Sequence, residues 1–217
     1  LTLALFDLDN TLLNGDSDHA FGEFLCQQGI VDRTVFKHAN DQFYIDYQEG
    51  TLDIAAYIKF ALAPLTRLSA AKRLALQAQF MTEVVEPMIL KKGVTLLAKH
   101  RREGHTIVII TATNRFVTGP IARRLGVQHL IATEPEIVDG QFTGAHSGTP
   151  CFQEGKITCL NQWLSQHDET LEGSYFYSDS ANDIPLLQSV DHPVAVDPCP
   201  KLAKYAASHN VPIMSLR

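Results

Sequence analysis

Leu3-Ala4-Leu5-Phe6-Asp7-Leu8-Asp9-Asn10-Thr11 is the stretch from which the rest of the chain can be read. Its apolar run, Leu3–Leu8, is short and nearly continuous, the pattern of a strand buried on both faces of a parallel sheet. The run closes on two carboxylates two residues apart, which puts Asp7 and Asp9 on the same side if extended geometry continues through them. Acids confined together repel, and a cation or a proton must relieve them. An Asp-rich turn or a calcium loop is the alternative, yet the EF-hand pattern requires glycine at its sixth position, where Leu12 stands.

Working outward, Ile107–Ile110, Tyr175–Tyr177 and Val194–Val196 repeat the short apolar run, each ending at polar residues. Helical patterns lie between them, at Gly93–Glu103, Val117–Leu125, Lys156–Gln166 and Lys201–Ser208. This alternation predicts an α/β fold with a doubly wound, Rossmann-like parallel sheet, in which ligands bind at the carboxyl ends of strands. Residues 15–88 break the pattern. Only helical spacing occurs there, as in Phe21-Phe24-Leu25, Val35-Ala39-Phe43-Tyr47 and Ile54-Ile58-Leu62, with Gly50, Pro64 and Pro87 as punctuation. The segment is predicted as an all-helical insert of four helices, a cap on a core formed by residues 1–14 and 89–217. Asp139-Gly140, between apolar stretches in Ile131–Phe142, signals a β-hairpin.

Three further elements follow the paired acids in order. Val108-Ile109-Ile110 runs into Thr111-Ala112-Thr113-Asn114, a hydroxyl and small-residue turn able to offer side chains and backbone N–H groups to phosphate. Lys156 opens a helical stretch. Tyr175-Phe176-Tyr177 runs into Ser178-Asp179-Ser180-Ala181-Asn182-Asp183, again acidic at a strand end. In this order the elements resemble the haloacid dehalogenase-like hydrolase superfamily, whose motifs are DxDxT, a Ser/Thr after a hydrophobic strand, a Lys and a DxxND-type acidic loop. The resemblance covers nearly the whole chain.

It implies a phosphatase in which Asp7 is the nucleophile, Asp9 the general acid and then base, and Thr111, Ala112, Lys156 and Asn182 contact the phosphate. It also implies Mg²⁺ held by Asp7, the Asp9 main-chain carbonyl and Asp179, with Asp183 and Asn182 orienting that shell. Carboxylate attack would split hydrolysis into formation and hydrolysis of an aspartyl-phosphate. A protonated Asp9 is reasonable because the pair disfavours double ionisation. Taken alone, Lys156 would be a solvated helix residue, and its place in the order is what singles it out. Arg115 and the nine histidines, among them His19 and His146, carry no metal-ligand spacing and are expected in loops, on the surface or in the core.

A helical insert between the first and second motifs resembles the cap of the phosphoserine phosphatase subclass, a lid that excludes water and selects substrates. Its hinges are expected near Leu13–Gly15 and Pro87–Leu90. The resemblance puts Asp16 where phosphoserine phosphatases carry a glutamate that contacts the substrate amine. Helix N-capping accounts for Gly15-Asp16-Ser17-Asp18 equally well. Those enzymes also clamp the substrate carboxylate with a cap arginine, whereas no arginine occurs between Arg33 and Arg67 here, and Lys59 offers only a point charge. The pattern fits an amine-bearing phosphomonoester without a carboxylate. Asp16 and Asp18 are the candidate selectivity residues, and this stretch and the cap resemble a bacterial branch that includes histidinol phosphate phosphatases. Phosphoserine, and transfer to a second hydroxyl as in a phosphotransferase or phosphomutase, are the alternatives.

The 217 residues carry a net charge of −6 with no long basic stripe, so the partner expected is a small phosphorylated metabolite rather than nucleic acid. Cys26, Cys151, Cys159 and Cys199 form no CxxC pair and read as reduced cytosolic thiols, which places the protein in the cytoplasm. No apolar run approaches the roughly 20 residues that span a bilayer. Leu1 already sits in the strand pattern, so a short leader is expected to precede it.

Overall fold

The computed structural model describes residues 2–217, so the strand reading at Leu1 falls outside the described residues. Its strands are β1 (Leu3–Phe6), β2 (Thr106–Asn114), β3 (His129–Val138), β4 (Gln141–Ser147), β5 (Tyr175–Ser178), β6 (His192–Val196) and β7 (Ile213–Met214). They form one sheet in the order β4-β3-β2-β1-β5-β6-β7, parallel except for β4. β1 is central, with Phe6 in register with Ile109 of β2 and Tyr177 of β5. From β1 the chain builds outward first through β2 and β3 and later through β5 and β6. The order therefore reverses beside β1, and the crevice of such a sheet opens at that reversal, at the carboxyl ends of the strands.

The central strands β1, β2 and β5 are buried on both faces, which is why they read as unbroken apolar runs. Alternate residues feed opposite cores, as the two-residue period of a strand requires. Ala4, Phe6, Ile107 and Ile109 pack with Leu97 of α6 (Lys91–Arg102) and with Val117 and Ile121 of α7 (Arg115–Arg124). Leu3, Leu5, Val108 and Ile110 pack with Leu160 and Trp163 of α8 (Glu154–His167), with Leu186 and Leu187 of α9 (Ile184–Leu187) and with Leu202 and Ala206 of α10 (Pro200–His209). Asp139 and Gly140, both at positive φ, close the β3–β4 hairpin with the backbone that its right-handed twist needs.

Between β1 and β2 come α1 (Ser17–Gln27), α2 (Arg33–Glu49), α3 (Ile54–Thr66) and α4 (Ala70–Phe80), then a π-helical turn, Met81–Val85, and α5 (Glu86–Met88). Asp16, Asp32, Asp53 and Ser69 cap the first four helices, each accepting from backbone N–H groups of its first turn. Gly50 ends α2 in the left-handed conformation, at φ 78°. Pro64 does not separate two helices as its position suggests. It lies near the end of α3, which runs on to Thr66, and the break falls instead between Arg67 and the Ser69 cap. Pro87 likewise sits inside α5, directly after the π-helical turn.

These helices do not have a core of their own. Phe21, Phe24, Leu62 and Phe80 belong to the same apolar cluster as Phe6, and Phe21 packs edge-on against Phe80 at 5.0 Å and Phe116 at 5.9 Å. Arg73 of α4 is buried against the hairpin, donating to Gln141 Oε1 at 2.9 Å and the Gly140 carbonyl at 3.0 Å, with its guanidinium over the Phe142 ring. The two crossings into the segment are paired with each other. Leu13 and Ile89 form an antiparallel bridge, flanked by bonds from Asn14 N–H to the Met88 carbonyl at 2.7 Å and from Leu90 N–H to the Leu12 carbonyl at 3.1 Å.

Candidate active site

Just beyond β1, the Asp7 N–H still donates to the Tyr177 carbonyl at 2.9 Å, which fixes the residue at the carboxyl edge of the sheet. Its Oδ1 accepts from Lys156 Nζ at 2.9 Å, and the same ammonium donates to Asp183 at 2.8 Å. Asp7, Lys156 and Asp183 are each at most 3% exposed. Ser178 Oγ donates to Asp183 Oδ2 at 2.7 Å and holds that carboxylate in place. Burial acts against the Lys156 charge, but Asp183 and Asp7 outweigh it and raise its pKa. Burial pushes Asp7 up to about 7 despite Lys156, with the charges of Asp183 and Asp9 adding to the rise. Lys156 reaches this position because the preceding loop folds tightly. A Cβ at Gly155 would stand 2.1 Å from the Pro150 carbonyl oxygen, so glycine is required there.

Asp179 lies across the site and is tied to the first motif by Thr11. The Thr11 hydroxyl contacts Asp179 Oδ1 at 3.2 Å and accepts from the Asp179 N–H at 3.1 Å. Burial, then the charges of Asp7 and Asp183, push its carboxyl well above the usual range. Asp9 is gripped from two sides. Its Oδ1 accepts from the Ser17 N–H at 2.6 Å, and its Oδ2 from Thr113 Oγ1 at 2.8 Å, with Thr111 Oγ1 at 3.5 Å. Burial, then the Asp16 charge, raise Asp9 to about 7.

A cavity opens above Asp7, Asp9, Thr111, Ala112 and Thr113. Asp16, Asp18 and His19 form one side, and the aromatic residues Phe43, Tyr44, Tyr47 and Tyr57 of α2 and α3 face it. Among the described residues, no lysine or arginine lines it. Asp16 is the N-cap of α1, its Oδ1 accepting from the N–H groups of Asp18 at 2.9 Å and His19 at 2.8 Å, and it borders the cavity as well. Asp18 Oδ1 accepts from Asn114 Nδ2 at 3.3 Å, and the Tyr57 hydroxyl also bonds this carboxylate. Burial is the main cause that lifts Asp16 and Asp18 each to about 7.

The other residues singled out by sequence fall elsewhere. Asn182 donates to the Tyr47 carbonyl at 3.0 Å and accepts from Gln153 Nε2 at 3.2 Å, in a separate cavity that contains Asp179 but not Thr111. Arg115 pairs with Glu134 and donates to the Leu130 carbonyl at 2.8 Å, and Lys59 is exposed. Thr113 was not singled out, although it stands two residues after Thr111 and so shares its side of an extended chain. His19, expected to be a packing residue, borders the cavity with its Nε2 on Asp41 Oδ1 at 2.8 Å and its ring stacked on Tyr44 at 4.8 Å. The tyrosines carried no motif that could have marked them.

The donor set suits a small hard cation. Asp7 Oδ2 is buried without a hydrogen-bond partner, and the acids around it outnumber the single buried ammonium, that of Lys156. A divalent ion held by carboxylate and carbonyl oxygens would satisfy the orphaned atom and the surplus charge together.

Residues 4–188 match the haloacid dehalogenase-like hydrolase family, and the chain belongs to it. It is a phosphatase of that family. A histidinol-phosphatase of Neisseria meningitidis serogroup C (strain 8013) is 44% identical, the alignment covering 99% of each chain. A crystal structure of a protein of unknown function from Bordetella pertussis Tohama I superposes with a TM-score of 0.94 at 41% identity, covering 100% of this chain and 99% of that one. A substrate-bound phosphoserine phosphatase superposes with a TM-score of 0.73, covering 98% of this chain and 92% of that one, and at 17% identity it shares the fold. No helix among the described residues is long and apolar enough to cross a membrane.

Proposed function

We propose that the protein is a magnesium-dependent phosphomonoester hydrolase that works through an aspartyl-phosphate on Asp7, with histidinol phosphate as its substrate. The observation that carries the substrate reading is the cavity lining, where Asp16 and Asp18 stand among aromatic rings with no lysine or arginine beside them. An ammonium finds a partner there, and a carboxylate meets repulsion. The 44% identity to a histidinol-phosphatase supports the same reading. Phosphoserine, the second reading, would need a cation for its carboxylate.

Asp7 attacks phosphorus, forming the acyl phosphate as the ester oxygen leaves. Asp9 gives its proton to that oxygen and then takes one from the water that hydrolyses the anhydride. A carboxyl near pH 7 suits a group that must donate and then accept. Lys156 holds the Asp7 carboxylate in place and supports the charge on the transferring phosphoryl group, while Thr111 and the Ala112 backbone position it. Asp7, the Asp9 main-chain carbonyl and Asp179 would hold Mg²⁺, which supplies charge neutralisation at the phosphoryl oxygens. Residues 15–88 act as a cap on the core of residues 1–14 and 89–217, opening about the Leu13–Gly15 and Pro87–Leu90 linkers to admit substrate. Asn182 contributes at the seam between α2 and the acidic loop, and Asp183 fixes Lys156. The four thiols are free, in keeping with a cytoplasmic enzyme of small-molecule metabolism.

The test is a panel of histidinol phosphate, phosphoserine, sugar phosphates and nucleotides, assayed with Mg²⁺ and with chelator. Histidinol phosphate is expected to be hydrolysed best and chelator to abolish release. Preference for phosphoserine, or full activity under chelation, would overturn the substrate and metal assignments respectively.

A further inference from the structure

The amine of the proposed substrate accounts for Asp16 but leaves Asp18 without a charged partner. Of the other acids, Asp7 and Asp183 share Lys156, Asp9 takes the Ser17 N–H and the Thr113 hydroxyl, and Asp7 and Asp179 are the carboxylates proposed above to hold Mg²⁺. Asp18 has only neutral donors, Asn114 Nδ2 at 3.3 Å and the Tyr57 hydroxyl, and it faces the cavity. Its neighbours give that part of the cavity a definite shape. Phe43 and Tyr57 pack edge-on with ring centroids 5.3 Å apart, and Leu52 and Ile54 line the same cavity. A flat group with apolar faces and an N–H at its edge matches both features, because aromatic walls favour the ring and the carboxylate accepts the N–H.

We infer that the cavity contains a second recognition site, in which Asp18 accepts an N–H from a planar heterocycle of the substrate packed against Phe43 and Tyr57. The substrate class is then an amino-alcohol phosphate whose far end is an N–H-bearing ring such as an imidazole. This rests on the amine-ester reading above and extends it from one contact to two. Asn114 also caps α7, accepting from the Val117 N–H, so the Asp18 carboxylate is held against a fixed part of the core. The Tyr57 hydroxyl bonds the same carboxylate from the helical segment.

Four esters separate the contacts: histidinol phosphate, phenylalaninol phosphate with a similar ring but no N–H, 2-aminopropyl phosphate with no ring, and propyl phosphate with neither ring nor amine. In the unaltered protein, kcat/KM for histidinol phosphate is expected to exceed that for phenylalaninol phosphate by about tenfold or more, since a site built around a polar group rejects an analogue lacking the partner. Asp18→Ala should bring that ratio close to one, while 2-aminopropyl phosphate remains favoured over propyl phosphate. Equal turnover of the two ring esters by the unaltered protein, which requires no variant to fold, overturns the ring site and leaves the amine reading standing. So does an equal loss on both in Asp18→Ala. If 2-aminopropyl phosphate is no better than propyl phosphate, the amine reading falls and this inference falls with it.

Discussion

The floor of the cavity is made from strand ends and the turns after them, whereas its wall is made from side chains spaced along three successive helices. Asp7 follows a buried apolar strand and Thr111 lies in the last part of one, so a few neighbouring residues fix where each side chain goes. Asp18, Tyr44 and Tyr57 come from α1, α2 and α3, and only the packing of those helices brings them to one cavity. The chemistry is thus encoded locally and the selectivity through tertiary packing. Changes to the floor should lower turnover of every ester, and changes to the wall should separate one ester from another.

The largest expected effect is on the floor. Asp7→Asn is nearly isosteric but lacks a competent nucleophile, and it should cut phosphate release by about 10⁴-fold or more for every substrate. Steady-state assays on a neutral and an amine-bearing ester check this, and residual activity that differs strongly between the two would break the contrast.

Next is the anchor of the wall. Arg73→Ala removes the donors to Gln141 and Gly140 and the stacking on Phe142, and should destabilise the fold by about 3–4 kcal/mol in urea titration. A loss below 1 kcal/mol would mean that the hairpin does not hold α4.

Beneath the floor lies His100, 1% exposed, with Nε2 on the Tyr177 hydroxyl at 2.9 Å and Nδ1 on His105 Nδ1 at 2.8 Å. Burial, then the nearby His105, lower its pKa from 6.5 to about 4. Because the folded value lies below the unfolded one, its stabilising contribution is fully present above pH 6.5 and is lost as pH falls toward 4. The loss is up to about 3 kcal/mol. Unfolding titrations across that window should show a shallower acid slope for His100→Gln, and equal slopes would contradict the assignment.

The smallest effect is also the most selective. Asparagine caps helices nearly as well as aspartate, so Asp16→Asn should fold normally yet lose about tenfold in kcat/KM for an amine ester, and little for a small alkyl phosphate. Equal small losses on both would reduce Asp16 to its cap.

The same contrast explains what could be read from sequence. β1, β2, β5 and β6, the hairpin and the helical character of the segment between β1 and β2 were legible because burial on two faces and helical spacing leave periodic marks. The end of α3 was not, because Pro64 reads as a stop yet lies within the last turn of the helix, and the Ser69 cap marks the true start of α4. β7 is two residues long at the edge of the sheet and carries no period to detect. Within the site, Asp7, Asp9, Thr111, Lys156, Asp179 and Asp183 follow from an ordered set of short motifs, and the structure brings them to one place. Thr113 follows from the same strand by counting two residues. The aromatic wall does not, since Phe43 and Tyr47 sit at spacings that serve a helix core equally well.

The pairing of Leu13 with Ile89 puts the entry and the exit of residues 15–88 side by side. A segment whose two ends meet can be lengthened, shortened or exchanged without redrawing the strands on either side, because Phe6 still pairs with Ile109 whatever hangs from the joint. What replaces it must still bring a backbone N–H to Asp9, as Ser17 does, and apolar side chains to the Phe6 cluster, so the joint tolerates change in the wall while the shared core limits it.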